Sequence, residues 1–140
     1  MKKGLTAWIF AAFVAGVVHA ETYECPDRVH LEKGTVSSND IPVGFTAHLS
    51  SSPVLLTGAA IYGGPPEQGA ELKPLNGDQP RGDPLWKFPP GSGHDVHLVC
   101  RYGDGTMQLV RKPSAAPSEC VSIARRSGTP RLLRVRFVCR

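Results

Sequence analysis

The 140-residue chain has no hydrophobic run long enough to cross a bilayer. Its longest apolar stretch, residues 5–18, is about 14 residues, against the roughly 20 that a spanning helix takes. It also has no Cys-x-x-Cys pair, which argues against a structural zinc site built from close ligand pairs. No nucleophile-elbow motif surrounds Ser50, Ser51 or Ser52, so the constellation of nucleophile, base and orienter that a hydrolase needs is not legible. Beyond residue 20 there is no long helical period and no internal repeat, which leaves β structure as the expectation.

The first twenty residues are of a different kind. Lys2 and Lys3 form a short positive start, the apolar stretch follows, and Val18-His19-Ala20 supplies the small residues that a signal peptidase reads. The expectation is a secretory signal over 1–20, cleaved after Ala20, and one β-rich domain over 21–140. Cys25 is preceded by Glu24 and does not follow the cleavage site, which disfavours a lipoprotein anchor. The address is then the periplasm or the medium, with no stable membrane insertion after cleavage.

All four cysteines, Cys25, Cys100, Cys120 and Cys139, lie after residue 20, and an even count in a small exported chain reads as a disulfide framework. Each bridge closing 20 residues or more contributes about 3–4 kcal/mol in the chain-entropy model. The preferred pairing is Cys100–Cys120 with Cys25–Cys139, tying neighbouring strands and both termini. The rival is Cys120–Cys139, across the two arms of a hairpin.

Fifteen glycines and thirteen prolines punctuate short alternating segments. Leu133, Val135, Phe137 and Cys139 fall on one face of the last segment, and Arg134, Arg136 and Arg140 on the other. Val96, Leu98, Cys100 and Tyr102 repeat the pattern, and Gly103-Asp104-Gly105 supplies a turn into residues 107–112. Adding residues 120–125, the region 94–140 reads as a meander of four antiparallel strands. Residues 45–49 and 54–62 are two further strands. Leu72-Lys73-Pro74-Leu75 is at most an edge, and 76–93 is a long irregular stretch anchored by Leu85, Trp86 and Phe88. The fold class is mainly β, a small antiparallel sandwich or half-open barrel stapled by two disulfides.

Charge is uneven along the chain. Residues 21–100 hold 5 Lys or Arg and 10 Asp or Glu, whereas 101–140 hold 9 and 2. The basic half either covers the acidic half or meets an acidic partner. Nucleic acid is disfavoured by the export signal.

The candidate partner-binding residues are Tyr62, Trp86, His94, His97, Arg134 and Arg136. Trp86 sits in a proline-framed loop, where an aromatic either anchors an interface or plugs the core. Tyr62, before Gly63-Gly64, carries the same two readings. His94 and His97 are three apart and share a face only if His94 lies in a loop. Arg81-Gly82-Asp83 matches an adhesion tripeptide that nothing else in the chain supports. No catalytic, metal-ligating or cofactor-binding residue is assigned.

Several of these features recur together: Cys25-Pro26, Gly64-Pro65-Pro66, Leu72-x-Pro74, Trp86, Cys100-x-Tyr102, Pro113 and Cys120. In this the chain resembles a family of small exported bacterial proteins of unassigned function, some encoded among type VI secretion genes. The resemblance covers most of residues 21–140 and implies a periplasmic immunity protein with a protein partner, either an effector or an envelope protein. The expected function is a non-enzymatic periplasmic binding or inhibitory protein that blocks a secreted effector enzyme. The alternative is an envelope structural or stress protein that uses its basic C-terminal strands on an anionic surface.

Overall fold

The computed structural model describes residues 19–140 except 33, 35–36, 45, 48–51, 78–81 and 94. Residues 1–18 of the signal segment, His94 and Arg81 therefore lie outside the described residues, as does most of the expected 45–49 strand. Eight strands are present: β1 (Glu21–Cys25), β2 (Arg28–Val29), β3 (Val54–Tyr62) and β4 (Leu85–Lys87), then β5 (His97–Tyr102), β6 (Met107–Arg111), β7 (Glu119–Ser127) and β8 (Leu132–Cys139). They form two four-stranded sheets, ordered β1-β8-β7-β4 and β2-β3-β5-β6. Every pairing is antiparallel. The architecture is a sandwich and not a closed barrel. Among the described residues no helix is long and apolar enough to cross a membrane.

Period-two patterning builds the core between the sheets. Val135, Phe137 and Cys139 of β8 point inward and are buried, while Arg134 and Arg136 point out. Opposite them, β5 contributes Leu98 and Tyr102, and β3 contributes Leu56 and Ile61. Phe137, only 1 % exposed, stabilises the fold by about 1.5–3 kcal/mol through burial alone. In β3 a bulge between Leu56 and Gly58 inserts Thr57, so that Leu56 and Ile61 both face the core. A smaller cluster of Ala60, Tyr62 and Val99 lies on the outer face of the second sheet.

Glycine is required at the β5–β6 turn. Gly103, Asp104 and Gly105 all have positive φ, and a Cβ on Gly103 would lie 3.0 Å from the Val54 side chain. This is the turn read from the sequence.

Three expectations are corrected. The region 94–140 is not one meander: β5 and β6 pair in the second sheet, β7 and β8 in the first. Between them Pro113 and Pro117 cannot donate to a ladder, and the chain crosses to the opposite layer. The backbone N–H of Ser114 caps the crossing by bonding the Glu21 carboxylate at 3.2 Å and the Tyr23 hydroxyl at 3.0 Å. The 76–93 stretch is not wholly irregular, because its apolar anchors form β4 against β7.

The disulfides are Cys25–Cys100 and Cys120–Cys139, so the preferred pairing is replaced by one that contains its rival. Cys120 and Cys139 stand directly opposite on β7 and β8, with Cα atoms 4.1 Å apart. The residue opposite Cys139 on β1 is Glu21, four positions from Cys25. At about 3.4 Å per residue, Cys25 is too far along the strand to be bridged to it. Cys25 instead meets Cys100 across the sandwich, Cα to Cα 5.7 Å. That bridge pins the point where the chain leaves β1 for the second sheet. Two hydrogen bonds hold the same crossing: Tyr102 hydroxyl to the Pro26 carbonyl (2.9 Å) and Leu56 N–H to the Asp27 carbonyl (3.0 Å).

Candidate functional site

Tyr62 and His97 are cross-strand neighbours on the outer face of the second sheet, and both are buried. The Tyr62 hydroxyl accepts a hydrogen bond from Arg101 Nη2 at 2.9 Å, and the Arg101 guanidinium lies 5.8 Å from the Tyr62 ring centroid. Arg101 also forms a close ion pair with Glu71, whose backbone bridges to Tyr62. His97 Nδ1 lies 2.8 Å from the Asp95 carbonyl oxygen. The Asp95 carboxylate is held below the usual range, chiefly by a hydrogen bond from Lys112 at 2.9 Å. This network is internally satisfied, and it fastens the 71–72 segment and the start of β5 to the sheet.

Trp86 is in the core, 6 % exposed, and its Nε1 donates to the Leu72 carbonyl at 2.8 Å. It forms the floor of a groove of about 470 Å³ beside Ala59, Ala60, Leu72 and Pro74. A partner therefore meets the rim of that groove before it meets the indole. All four cysteines of the chain are in disulfides, so no thiol is available as a nucleophile.

Arg134 and Arg136 are on the outer face of the first sheet, opposite to Tyr62 and His97. The sandwich thus does not gather the candidate residues at one site. It places Trp86 inside, Tyr62 and His97 on one outer face and Arg134 and Arg136 on the other, with His94 outside the described residues. Around the arginines it builds a feature that sequence reading missed. β1 leaves the sheet after Cys25, level with Val135, while β7 and β8 run on. The step leaves a notch of about 660 Å³. The notch is lined by Ile123 and Arg125 of β7, Arg134 and Arg136 of β8, and Glu24, Pro26 and Asp27 of the departing β1 segment.

Arg125 and Arg134 are direct cross-strand partners, a like-charge pair that opposes sheet formation. Arg125 is drawn aside by a two-pronged ion pair with Asp83, at 2.8 and 3.2 Å. That contact holds the Asp83 carboxyl below its usual range. Only the register reveals the Arg125–Arg134 juxtaposition. The signal available in the sequence was the arginine spacing on each strand.

The uneven charge now has a structural account. Arg101–Glu71, Lys112–Asp95 and Arg125–Asp83 each join a base of the C-terminal half to an acid of the N-terminal half. Among the described residues, Arg126, Arg131, Arg134 and Arg136 have no ion-pair partner.

The family model of the Type VI secretion system Tli immunity protein matches residues 51–140. The chain belongs to that family. Comparison with curated proteins and with solved structures finds no match. The family segment contains β3 to β8, with Cys100, Cys120, Cys139 and the three arginines of the notch. It agrees with the resemblance drawn from the cysteine, proline and tryptophan spacing. The protein is an immunity protein of type VI secretion, and such a role implies an inhibitor with an effector as its protein partner.

Proposed function

We propose that the protein acts in the periplasm, where it binds a type VI effector and holds it inactive in a stoichiometric complex, without turnover of its own. The observation that carries this reading is the family match over residues 51–140, which takes in most of the sandwich. Two further features support it. Both disulfides call for an oxidising compartment, and residues 1–20 have the pattern of an export signal. A sandwich cross-linked between its layers and across its terminal hairpin presents a preorganised surface. Less ordering entropy is then lost when a partner docks.

The test is protection. Cells receiving a cognate type VI effector are compared with and without the full chain, and with the chain lacking residues 2–20. The full chain restores survival, the leaderless chain fails, and the purified pair elutes as a single stoichiometric complex. Survival with the leaderless chain overturns the periplasmic assignment, and killing despite the full chain overturns the inhibitory one. His97→Ala, which removes a buried ring from the Asp95 contact, leaves protection intact if no turnover is involved.

A further inference from the structure

From the geometry of the notch beside β8 we infer that it is the effector-docking site, and that its occupant is a protein segment of the effector presenting an acidic side chain to Arg134 and Arg136. The inference rests on the inhibitory reading above and assigns the surface that carries it.

The β7–β8 hairpin concentrates positive charge that the fold neutralises only in part, through Asp83, which pairs with Arg125 and also attracts Arg136 without an ion-pair contact to it. Five arginines, Arg125, Arg126, Arg131, Arg134 and Arg136, fall between positions 125 and 136, and no Asp or Glu occurs after Glu119. Of the five, only Arg125 has an ion-pair partner among the described residues. A free arginine fork is suited to bidentate capture of a carboxylate, and two on alternate positions of one strand project side by side. With Arg125 drawn aside by Asp83, Arg134 is left facing solvent without an acid of its own among the described residues.

The remainder of the notch selects the kind of partner. Glu24 lies directly across from Arg136 on β1, and Asp27 extends the acidic rim. A nucleic acid or an anionic bilayer presents negative charge everywhere and is repelled by that rim. A protein segment of mixed charge fits, with its acid on the arginine side and a base or amide on the other. Half-buried Ile123, on β7 opposite Arg136, and exposed Pro26, between Glu24 and Asp27, give it apolar contact at either side. The volume of about 660 Å³ accommodates a few side chains, as an interface anchor requires.

The full chain, exported and purified in oxidised form, is titrated with an inactivated form of the cognate effector that the protection test identifies, at low and high salt. It is compared with R134E/R136E and with R111E/K112E, which makes the same charge change at the end of β6 and just after it, on the other sheet. R134E/R136E weakens binding by about 100-fold or more and flattens its salt dependence, while R111E/K112E stays within about threefold. Melting curves and thiol counts matching the parent confirm that both variants are folded and bridged. Equal losses in the two variants, or none in R134E/R136E, overturn the docking site while leaving the inhibitory reading intact. If the parent chain fails to bind the effector, both fall. The same titration against phosphatidylglycerol vesicles and a DNA duplex gives no saturable binding. Saturable, R134E/R136E-sensitive binding to either probe without effector binding overturns the protein occupant.

Discussion

Removing the inter-sheet disulfide should destabilise the protein more than removing the hairpin disulfide. Cys25–Cys100 spans 75 residues and Cys120–Cys139 spans 19, and the two loops do not overlap, so their effects add in the chain-entropy model. The same model assigns about 4.5 kcal/mol to the longer loop and about 3.2 kcal/mol to the shorter at 25 °C. The gap widens for a structural reason. β7 and β8 remain joined by eight register pairs without their bridge. Between the two sheets, the β1-to-β2 crossing is held by the Tyr102 and Leu56 hydrogen bonds, with β1 paired to β8 over five positions and β2 to β3 over two. C25A/C100A and C120A/C139A are compared with the parent by urea unfolding, followed by far-ultraviolet circular dichroism at a temperature where all three are folded. C25A/C100A loses the larger share of a total that is roughly 5–15 kcal/mol for a domain of this kind, and its m-value rises as the unfolded chain expands. The reasoning is refuted if C120A/C139A is the less stable of the two. It is refuted equally if peptide mapping links Cys25 to Cys139 or Cys100 to Cys120.

Three other outcomes are expected. Trp86→Ala should cost about 3–5 kcal/mol by emptying the core, and Trp86→Phe about 1–3 kcal/mol by leaving the Leu72 carbonyl unpaired; calorimetry or denaturant unfolding measures both. With Trp86 buried, the Phe variant should keep its effector affinity within about threefold. Tyr102→Phe should lose about 1 kcal/mol with the Pro26 hydrogen bond, and a neutral result in the same assay would remove that contact from the account of the crossing. Acid should weaken the fold through Asp83 and Glu21. Asp83 is held below 3.8 by the hydrogen bond from Arg125, and Glu21 below 4.5 by that from the Tyr23 hydroxyl. Both folded values are depressed, so each contribution is present above the ordinary value and disappears as pH falls through the folded one. Melting temperature should therefore fall on going from about pH 5 to about pH 3, and less steeply in Asp83→Asn. An Asp83→Asn profile as steep as the parent's would show that Arg125 does not act through that carboxylate.

The candidate residues divide according to how local their roles are. Arg134 and Arg136 were legible as exposed because alternation within one strand assigns faces without knowledge of the neighbours. Whether Tyr62 and Trp86 anchor a partner or fill space depends on what packs above them, and no local pattern carries that. The Tyr62 hydroxyl is enclosed by Arg101 and Glu71, from segments 39 and 9 residues away. The notch is less local still, since it exists only because β1 departs where β7 and β8 continue.

The sequence by itself determined the β class, the strand span 54–62, the turn at Gly103-Asp104-Gly105 and the inward face of β8. These follow from two-residue periodicity and from glycine's freedom at positive φ, which act over a few neighbouring positions. Oxidation of all four cysteines was also legible, from their even number in a chain with an export pattern. Only the tertiary structure decided which cysteines meet, that the last four strands divide between two sheets, and that Arg125 stands against Arg134. Each of these depends on register and on layer, set by the packing of the whole apolar surface around Phe137, Leu98 and Ile61. A strand's own residues state which face is apolar, but not which other strand that face will cover.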